Sequence, residues 1–435
     1  MEIKTVKMGI NGEGIGYINK KPVFIEGALP EELVEVEILE ETNSFCRAKA
    51  ISIIEPSPDR IRSECRYQND CGGCPLMTMR YKSQLEYKKT LLEEALYKYG
   101  GVKRDLVREA RSSEYVTGYR SSLKLPCQNS NMRLATGMYF KGTNHFQPIH
   151  ECLVHHPDLE DARKQVIEAL NKARMQAYDA KSMRGLRYIV MRIGDDGIQC
   201  TLVTGKGRIP SMAVKQIMRI KGIRSLFHSV NTTRGGVELF GTMPKKIAGE
   251  DVIHVELGEI SLALSPDAFF QMNIEQAREL YKMAVSKVDP CNVVVEAYCG
   301  AGAMSLMASP KANHVYGIES VQSAVDNANA NAASNNIKNV TFMCDDAADG
   351  LYKAARLDGV DCLIVDPPRS GMDDKMLEAI LHILPKKIIY VSCNPATLGK
   401  NIAVLKKEYK IVSVIPFDMF PNTPLIESIT VMERG

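Results

Sequence analysis

Two residues near the C-terminal end of the chain could share one covalent reaction. Cys393 stands in YVSCNPATL (390–398), at the end of a run of β-branched and aromatic residues, and Glu427 stands in FDMFPNTPLIES (417–428), at the start of another. Ligands of open α/β sheets bind at the carboxyl ends of the strands, so a thiol placed there is a candidate nucleophile. Its reactivity needs a lowered pKa, which the N-terminus of the following helix favours. A carboxylate opposite the same edge serves as a general base when a partly closed pocket tunes its pKa. A lone thiol is more often a buried structural group, and a strand-start acid more often a surface charge. Position favours the chemical reading.

A cofactor half precedes them. VVVEAYCGAGAMSL (293–306) is a buried-type strand running into Gly300 and Gly302 and then a helix, a turn that lets backbone approach a ligand. Glu319 ends the next strand, about 20 residues on, where an acid accepts hydrogen bonds from ribose hydroxyls. The motif is CGAGA, not GxGxxG. No diphosphate needs cradling, which suits a nucleoside ligand such as S-adenosylmethionine. VDPPRSG (365–371) puts Asp366 and two prolines after the fourth strand, a stiff loop over the crevice. A methyl donor beside a thiol suggests one reaction. Carbon 5 of uracil is a poor nucleophile, and thiolate addition at carbon 6 turns the ring into an enolate that attacks a methyl sulfonium. A base then removes the carbon 5 proton so that the thiolate can leave.

CRYQNDCGGC (65–74) holds three of the twelve cysteines. Its C-x5-C-x2-C spacing is neither a zinc ribbon nor a ferredoxin run. Residue types alone leave zinc and iron–sulfur equally open, and a fourth ligand is needed.

These residues need elements to hold them. From about 260 onward, strand candidates at 292–298, 314–319, 339–345, 361–366, 388–393, 410–417 and 428–433 alternate with helical stretches. That pattern argues for a doubly wound sheet, with its last two strands as an antiparallel hairpin at one edge. Residues 1–58 read as a small barrel of short Val- and Ile-rich strands. Residues 59–259 are mixed α+β, with YKSQLEYKKTLLEEALYKYG (81–100) at helical spacing. The fold class is therefore multidomain α/β, divided into 1–58, 59–259 and 260–435. The net charge of +3 hides an asymmetry: residues 61–250 carry 32 Lys+Arg against 18 Asp+Glu, while both flanks are acidic. A basic middle suggests a polyanion partner, with Arg120, Lys124, Arg133, Arg184, Arg187 and Arg192 as candidate phosphate contacts. No run approaches a membrane span and the N-terminus has no signal-peptide core, so a cytoplasmic protein without membrane contact is expected. Thiols stay reduced there, which points clustered cysteines toward metal or catalysis.

VDPPRSGM, VSCNPATLGKNI and DMFPNTPLIES, in that order and spacing, resemble the RNA uracil-5-methyltransferase family, and SPDAFFQMN (265–273) resembles its segment opening the catalytic domain. GEGIGYINKKPVFIEGALPEELVEVEI resembles the family's TRAM module, an OB-like barrel associated with RNA. The resemblance implies an OB-like TRAM barrel, a central RNA-binding domain with an iron–sulfur cluster, and a Rossmann-like S-adenosylmethionine methyltransferase domain. It implies Cys393 as nucleophile, Glu427 as proton-abstracting base, and Gln271, Tyr298, Glu319 and Asp366 at the S-adenosylmethionine site. Cys65, Cys71, Cys74 and Cys152 (in FQPIHECLVHHP) then match the four ligands of a [4Fe-4S] cluster. That cluster is typical of the branch acting on 23S ribosomal RNA; the branch acting on uridine 54 of tRNA usually lacks both it and the TRAM module. The implied protein is a monomeric 23S RNA uridine C5-methyltransferase, with the tRNA enzyme or a non-catalytic RNA-binding relative as the other readings. Many relatives carry histidines in the stretch matching FPNTPLIE, where Asn422 and Leu425 stand here. By this reading the cysteine run is a folding and RNA-docking element, away from the chemistry.

Overall fold

The computed structural model describes residues 1–140, 142–233 and 238–435. Residues 2–55 close into a five-stranded barrel. Its strands alternate because every second residue must leave water: Ile3, Val23, Ile25, Val34, Val36 and Ala48 fill the interior. The linker is anchored to it. Glu32 is fully buried, accepts from Leu29 N (2.7 Å) and pairs with Arg60 of PSPDR, whose Nη2 donates at 2.8 Å. A buried carboxylate is tolerable when paired and hydrogen-bonded in this way.

The middle of the chain builds a seven-stranded sheet, from Phe146–Pro148 at one edge to Lys245–Gly249 at the other. Helix Pro157–Lys172 covers it with Leu159, Val166 and Leu170. Two features depart from the expected boundaries. The antiparallel hairpin Ile253–Leu257/Ile260–Leu264 straddles the division at 259/260, and its inward residues join the core of the catalytic sheet. Helix Tyr81–Gly100 also belongs there: Leu92 and Leu96 pack with Leu398, Ile402 and Tyr390. Residues 107–111 then run beside the edge strand Tyr409–Phe417, through Val107↔Val414 and Arg111↔Phe417. The sequence placed this segment in the middle domain because the helix pattern shows an apolar face but not the partner that covers it.

The catalytic sheet has seven strands, ordered across the sheet Val340–Cys344, Ala312–Glu319, Cys291–Ala297, Cys362–Val365, Lys387–Ser392, Glu427–Arg434, Tyr409–Phe417. The first five run parallel; Glu427–Arg434, the last strand in sequence, is inserted antiparallel between Lys387–Ser392 and the edge strand Tyr409–Phe417, which runs in the same direction as the first five. The order reverses between Cys291–Ala297 and Cys362–Val365, and a crevice opens at such a switch point. Among the described residues no helix is long and apolar enough to cross a membrane.

Candidate active site

The chain leaves strand Cys291–Ala297 through Tyr298 at φ +66 and turns at Gly300 and Gly302, both at positive φ. A Cβ at Gly302 would lie 2.6 Å from the Phe342 ring, so the turn needs glycine there. Glu319, at the end of the neighbouring strand, accepts from the N–H groups of Gly300 (3.1 Å) and Val321 (3.0 Å), which fixes its carboxylate at the crevice rim. Asp366 follows strand Cys362–Val365. Gln271, Tyr298, Glu319, Asp366, Cys393 and Glu427 all line one cavity of about 750 Å³.

Strand register explains how two residues distant in sequence meet. Lys387–Ser392 pairs antiparallel with Glu427–Arg434, Ser392 opposite Ser428. One step further, Cys393 and Glu427 stand abreast at the strand ends. Asn394 then caps helix Pro395–Leu405, its Oδ1 accepting from Ala396 N (3.1 Å) and its Nδ2 donating to Arg369 O (2.9 Å). The thiol thus sits at a helix N-terminus, tied to the loop after Asp366-Pro-Pro.

The electrostatics are those of an acid-rich, largely buried site. Burial pushes Asp366 up to about 7, and Glu296 up to about 8 despite the hydrogen bond from Ser305. Burial, with Asp366 adding, holds Glu427 well above the usual carboxylate range. Cys393 is raised to about 11 by burial and by the Glu427 and Asp366 charges, against the opposing pull of Arg369. The helix N-terminus does not by itself deliver a thiolate. Glu296, Tyr281, Phe420 and Arg369 also line this space and were not singled out from the sequence. Glu296 had a signal, an acid inside an otherwise apolar strand; Tyr281 is one apolar-face residue of helix Ile274–Ser286 and had none.

A second cavity, of about 770 Å³, reaches the same thiol from another side. The barrel lines it with Lys7 and Ile10, helix Tyr81–Gly100 with Lys98 and Tyr99, and the catalytic domain with Leu425, Arg369 and Cys393. Cys393 and Arg369 belong to both cavities.

Cys65, Cys71, Cys74 and Cys152 come together from two segments. Burial raises the first three, Cys74 to about 12, and each is raised further by the charge of Cys152. Cys152 is also pushed up by burial, but a hydrogen bond from His155 holds it below the ordinary thiol range. His155 Nδ1 is 2.7 Å from Glu160, which Arg163 pairs at 2.7 Å. Among the described residues no group of three or more His, Cys, Asp or Glu is placed to hold a metal ion.

The basic candidates scatter. Arg192 donates to the carbonyls of Ser265 (3.4 Å) and Ala268 (2.6 Å), and Arg187 to those of Asn231 (2.9 Å) and Thr233 (3.0 Å), so both brace loops. Arg133 pairs with Glu168 (2.7 Å), and Lys124 is an exposed residue of strand Ser122–Ser130 whose pKa is lowered by desolvation and by the charge of Arg192. Arg120 faces the cysteines, where its charge opposes the rise of Cys71 and Cys74. Arg184 bridges to Lys206 through backbone.

Residues 246–435 match the tRNA (uracil-5-)-methyltransferase family, and residues 2–51 match the TRAM domain. A Bacillus cereus protein named as an uncharacterized RNA methyltransferase is 34% identical, covering 99% of this chain and 96% of its own. A Clostridium tetani protein of the same name is 34% identical over 98% and 94%. The crystal structure of Pyrococcus abyssi tRNA (uracil-54, C5)-methyltransferase in complex with S-adenosyl-L-homocysteine shares the fold at a TM-score of 0.80, with 24% identity, over 99% of this chain and 100% of that one. The crevice and the full-length relatives agree: the chain belongs to the RNA uracil-5-methyltransferase family and is an S-adenosylmethionine-dependent RNA (uracil-C5)-methyltransferase.

Proposed function

We propose that this enzyme methylates carbon 5 of a uridine in 23S ribosomal RNA through a covalent bond between Cys393 and carbon 6. The observation that carries the reading is the position of Cys393, shared by two cavities and abreast of Glu427. The crevice holding Glu319 and Asp366 suits the methyl donor, and the barrel-side cavity suits a base flipped out of the RNA. S-adenosylmethionine supplies an electrophilic methyl group and brings positive charge into an acid site. That charge opposes the effect of Asp366 and Glu427 on the thiol and so favours thiolate. The thiolate adds to carbon 6, and the electrons of the C5–C6 double bond move toward O4. They return through carbon 5 to the methyl carbon of the donor, whose S–CH3 bond breaks with the pair left on sulfur as a neutral thioether. Glu427 then takes the carbon 5 proton. The C5–C6 double bond re-forms, the C6–S bond breaks, and Cys393 leaves as thiolate. A carboxylate with a raised pKa is the stronger base for that last step.

Cys65, Cys71, Cys74 and Cys152 would hold a [4Fe-4S] cluster. The donor set is four thiols, which suits iron–sulfur. Arg120 Nε is buried without a hydrogen-bond partner beside Cys71 and Cys74, a donor in want of an acceptor such as cluster sulfide. A cluster would supply cross-linking between the two cysteine segments. Iron and sulfide assay of anaerobically purified protein tests this: stoichiometric zinc without iron would refute it.

A tRNA target is the second reading. The Pyrococcus abyssi protein shares the fold over its full length, so domain architecture does not select ribosomal RNA. Methyl transfer from labelled donor to unmodified 23S RNA and to unmodified tRNA separates the two. Incorporation into tRNA alone would overturn the first reading.

A further inference from the structure

The segment between the last two strands leads straight into Glu427. Asp418, Asn422, Thr423 and Glu427 are all buried. Residues 418–422 are held by partners far away in sequence. Lys88, fully buried, pairs with Asp418 and donates to Phe420 O (3.0 Å). Asn273 Nδ2 donates to Met419 O (3.1 Å), and Tyr119 OH to Pro421 O (3.0 Å). Asn422 is held on every side. Its N–H donates to Gln84 Oε1 (2.8 Å), its Oδ1 accepts from Gln84 Nε2 (3.1 Å), its Nδ2 donates to Val116 O (2.8 Å), and its carbonyl accepts from Leu76 N (3.0 Å). It sits at φ +67, a conformation asparagine tolerates better than most residues.

These partners lead to the cysteines. Leu76 lies just after Cys74, and Gln84 Nε2 also donates to the carbonyls of Leu76 (3.1 Å) and Met79 (2.9 Å). On the other side, Gly118 and Arg120, which flank Tyr119, donate to the carbonyls of Leu153 and Val154, next to Cys152 (both 2.8 Å). The segment after Cys74 therefore bonds directly to the strap that leads into Glu427, and the Cys152 segment reaches it through Tyr119. Met77, Tyr119, Val154, Met419 and Phe420 share one buried cluster, against which Cys65, Cys74 and Cys152 pack. The cysteine site is thus a neighbour of the chemistry, contrary to the expectation from sequence distance.

We propose that Gln84 and Asn422 are positioning residues for Glu427, and that through them the state of the four-cysteine site sets where the base stands. The inference rests on Glu427 being the proton-abstracting base. It separates two halves of the reaction. Bond formation at carbon 6 uses Cys393, at the end of the fifth strand Lys387–Ser392, whereas proton removal and release use Glu427, into which the strap leads. Phe420 and Leu425 of the strap line the two cavities but carry no reacting group.

The test uses the full chain with two RNAs. On 5-fluorouridine RNA the adduct cannot be released, so trapping reports the steps before Glu427. On ordinary uridine RNA, accumulated adduct reports failure of release. For Gln84→Met, trapping on the fluorinated RNA is expected within about twofold of wild type, while turnover on uridine RNA falls at least about tenfold and methylated adduct builds up on denaturing gels. Wild-type protein first shown by assay to carry iron, and then stripped of it by chelation, is expected to build up the same adduct; protein purified without iron would sink the cluster reading, not this one. In the stripped protein amide hydrogen exchange should quicken at 418–427 and stay unchanged at 387–392, a readout that stands even if the variant does not fold. Equal slowing of both halves in Gln84→Met, wild-type behaviour of that variant, or unchanged exchange in the strap after iron removal would overturn the proposal. Wild-type protein that traps no fluorinated RNA would instead sink the covalent reading on which it rests.

Discussion

The crevice around Cys393 and the four-cysteine site are both buried collections of acids, yet they settle their charge differently. In the crevice, Glu296, Asp366 and Glu427 are all driven toward their protonated forms by burial, and the opposing cation at Cys393 is Arg369, on an exposed loop. At the cysteine site burial likewise pushes Cys65, Cys71 and Cys74 up, but the protein sets cations against it: Arg66 toward Cys65, Arg120 toward Cys71 and Cys74, and His155 on Cys152, which alone falls below the ordinary thiol range, with the Glu160–Arg163 pair behind it. A site that lacks built-in compensation suits a ligand that arrives with positive charge and leaves without it. A site with fixed compensation suits a resident group. Substrate turnover belongs to the first arrangement and scaffold to the second.

The largest break in that comparison comes from removing the thiol. Cys393→Ala is expected to abolish methyl transfer and adduct formation, because carbon 5 then stays unactivated. Full turnover by that variant would refute the mechanism. Glu427→Gln comes next. Adduct should form no more slowly than in wild type, since the substitution removes an acid that raises the Cys393 pKa. Release should fall by about 10²–10⁴-fold, the usual worth of a general base. A Glu427→Gln enzyme that turns over without accumulating adduct would remove Glu427 from that role.

A smaller effect sharpens the comparison. Arg369 stands in both cavities and its charge opposes the rise of Cys393. In Arg369→Met the thiol should ionise at still higher pH, so the rise of adduct-formation rate with pH moves to more alkaline values. The difference from wild type should shrink with added salt, because an exposed charge is screened within about 10 Å at 0.1 M. An unshifted pH profile would remove Arg369 from the control of the thiol.

Much of this site was legible in the sequence, for a physical reason. Strand ends in a doubly wound sheet share one edge, so motifs ending at Tyr298, Glu319, Asp366 and Cys393 had to converge whatever the loops did. Glu427 was legible as the start of a strand, but its pairing abreast of Cys393 depends on antiparallel register, which a pattern of apolar residues does not set. The partners of the strap were not legible. Gln84 and Lys88 look like solvated helix residues, and only the tertiary structure shows both buried against 418–422. The same limit hid the docking of helix Tyr81–Gly100 on the catalytic sheet. Arg192 and Arg187 read as phosphate contacts because net charge says nothing about which guanidinium groups are already engaged by carbonyls.

The smallest expected effect tests the uncompensated crevice directly. Asp366 is raised to about 7 in the folded chain by burial, above the ordinary carboxylate value near 3.9. Between those values the folded state keeps a proton that the unfolded state has lost. The unfolded state therefore binds fewer protons, and stability must fall as pH rises through that window. The contribution is fully present below about pH 4 and is lost as pH passes about 7. In the ligand-free enzyme, wild type should thus lose more thermal stability between pH 5 and 8 than Asp366→Asn does, by roughly 2–4 °C for each kcal/mol of difference. S-adenosylmethionine should reverse the trend for wild type, since its positive charge favours the ionised carboxyl and its stabilisation grows with pH. The four-cysteine site, with its own cations, should show no such dependence on the methyl donor. Parallel melting curves for wild type and Asp366→Asn across this range, with and without S-adenosylmethionine, would show that the crevice does not await a cation.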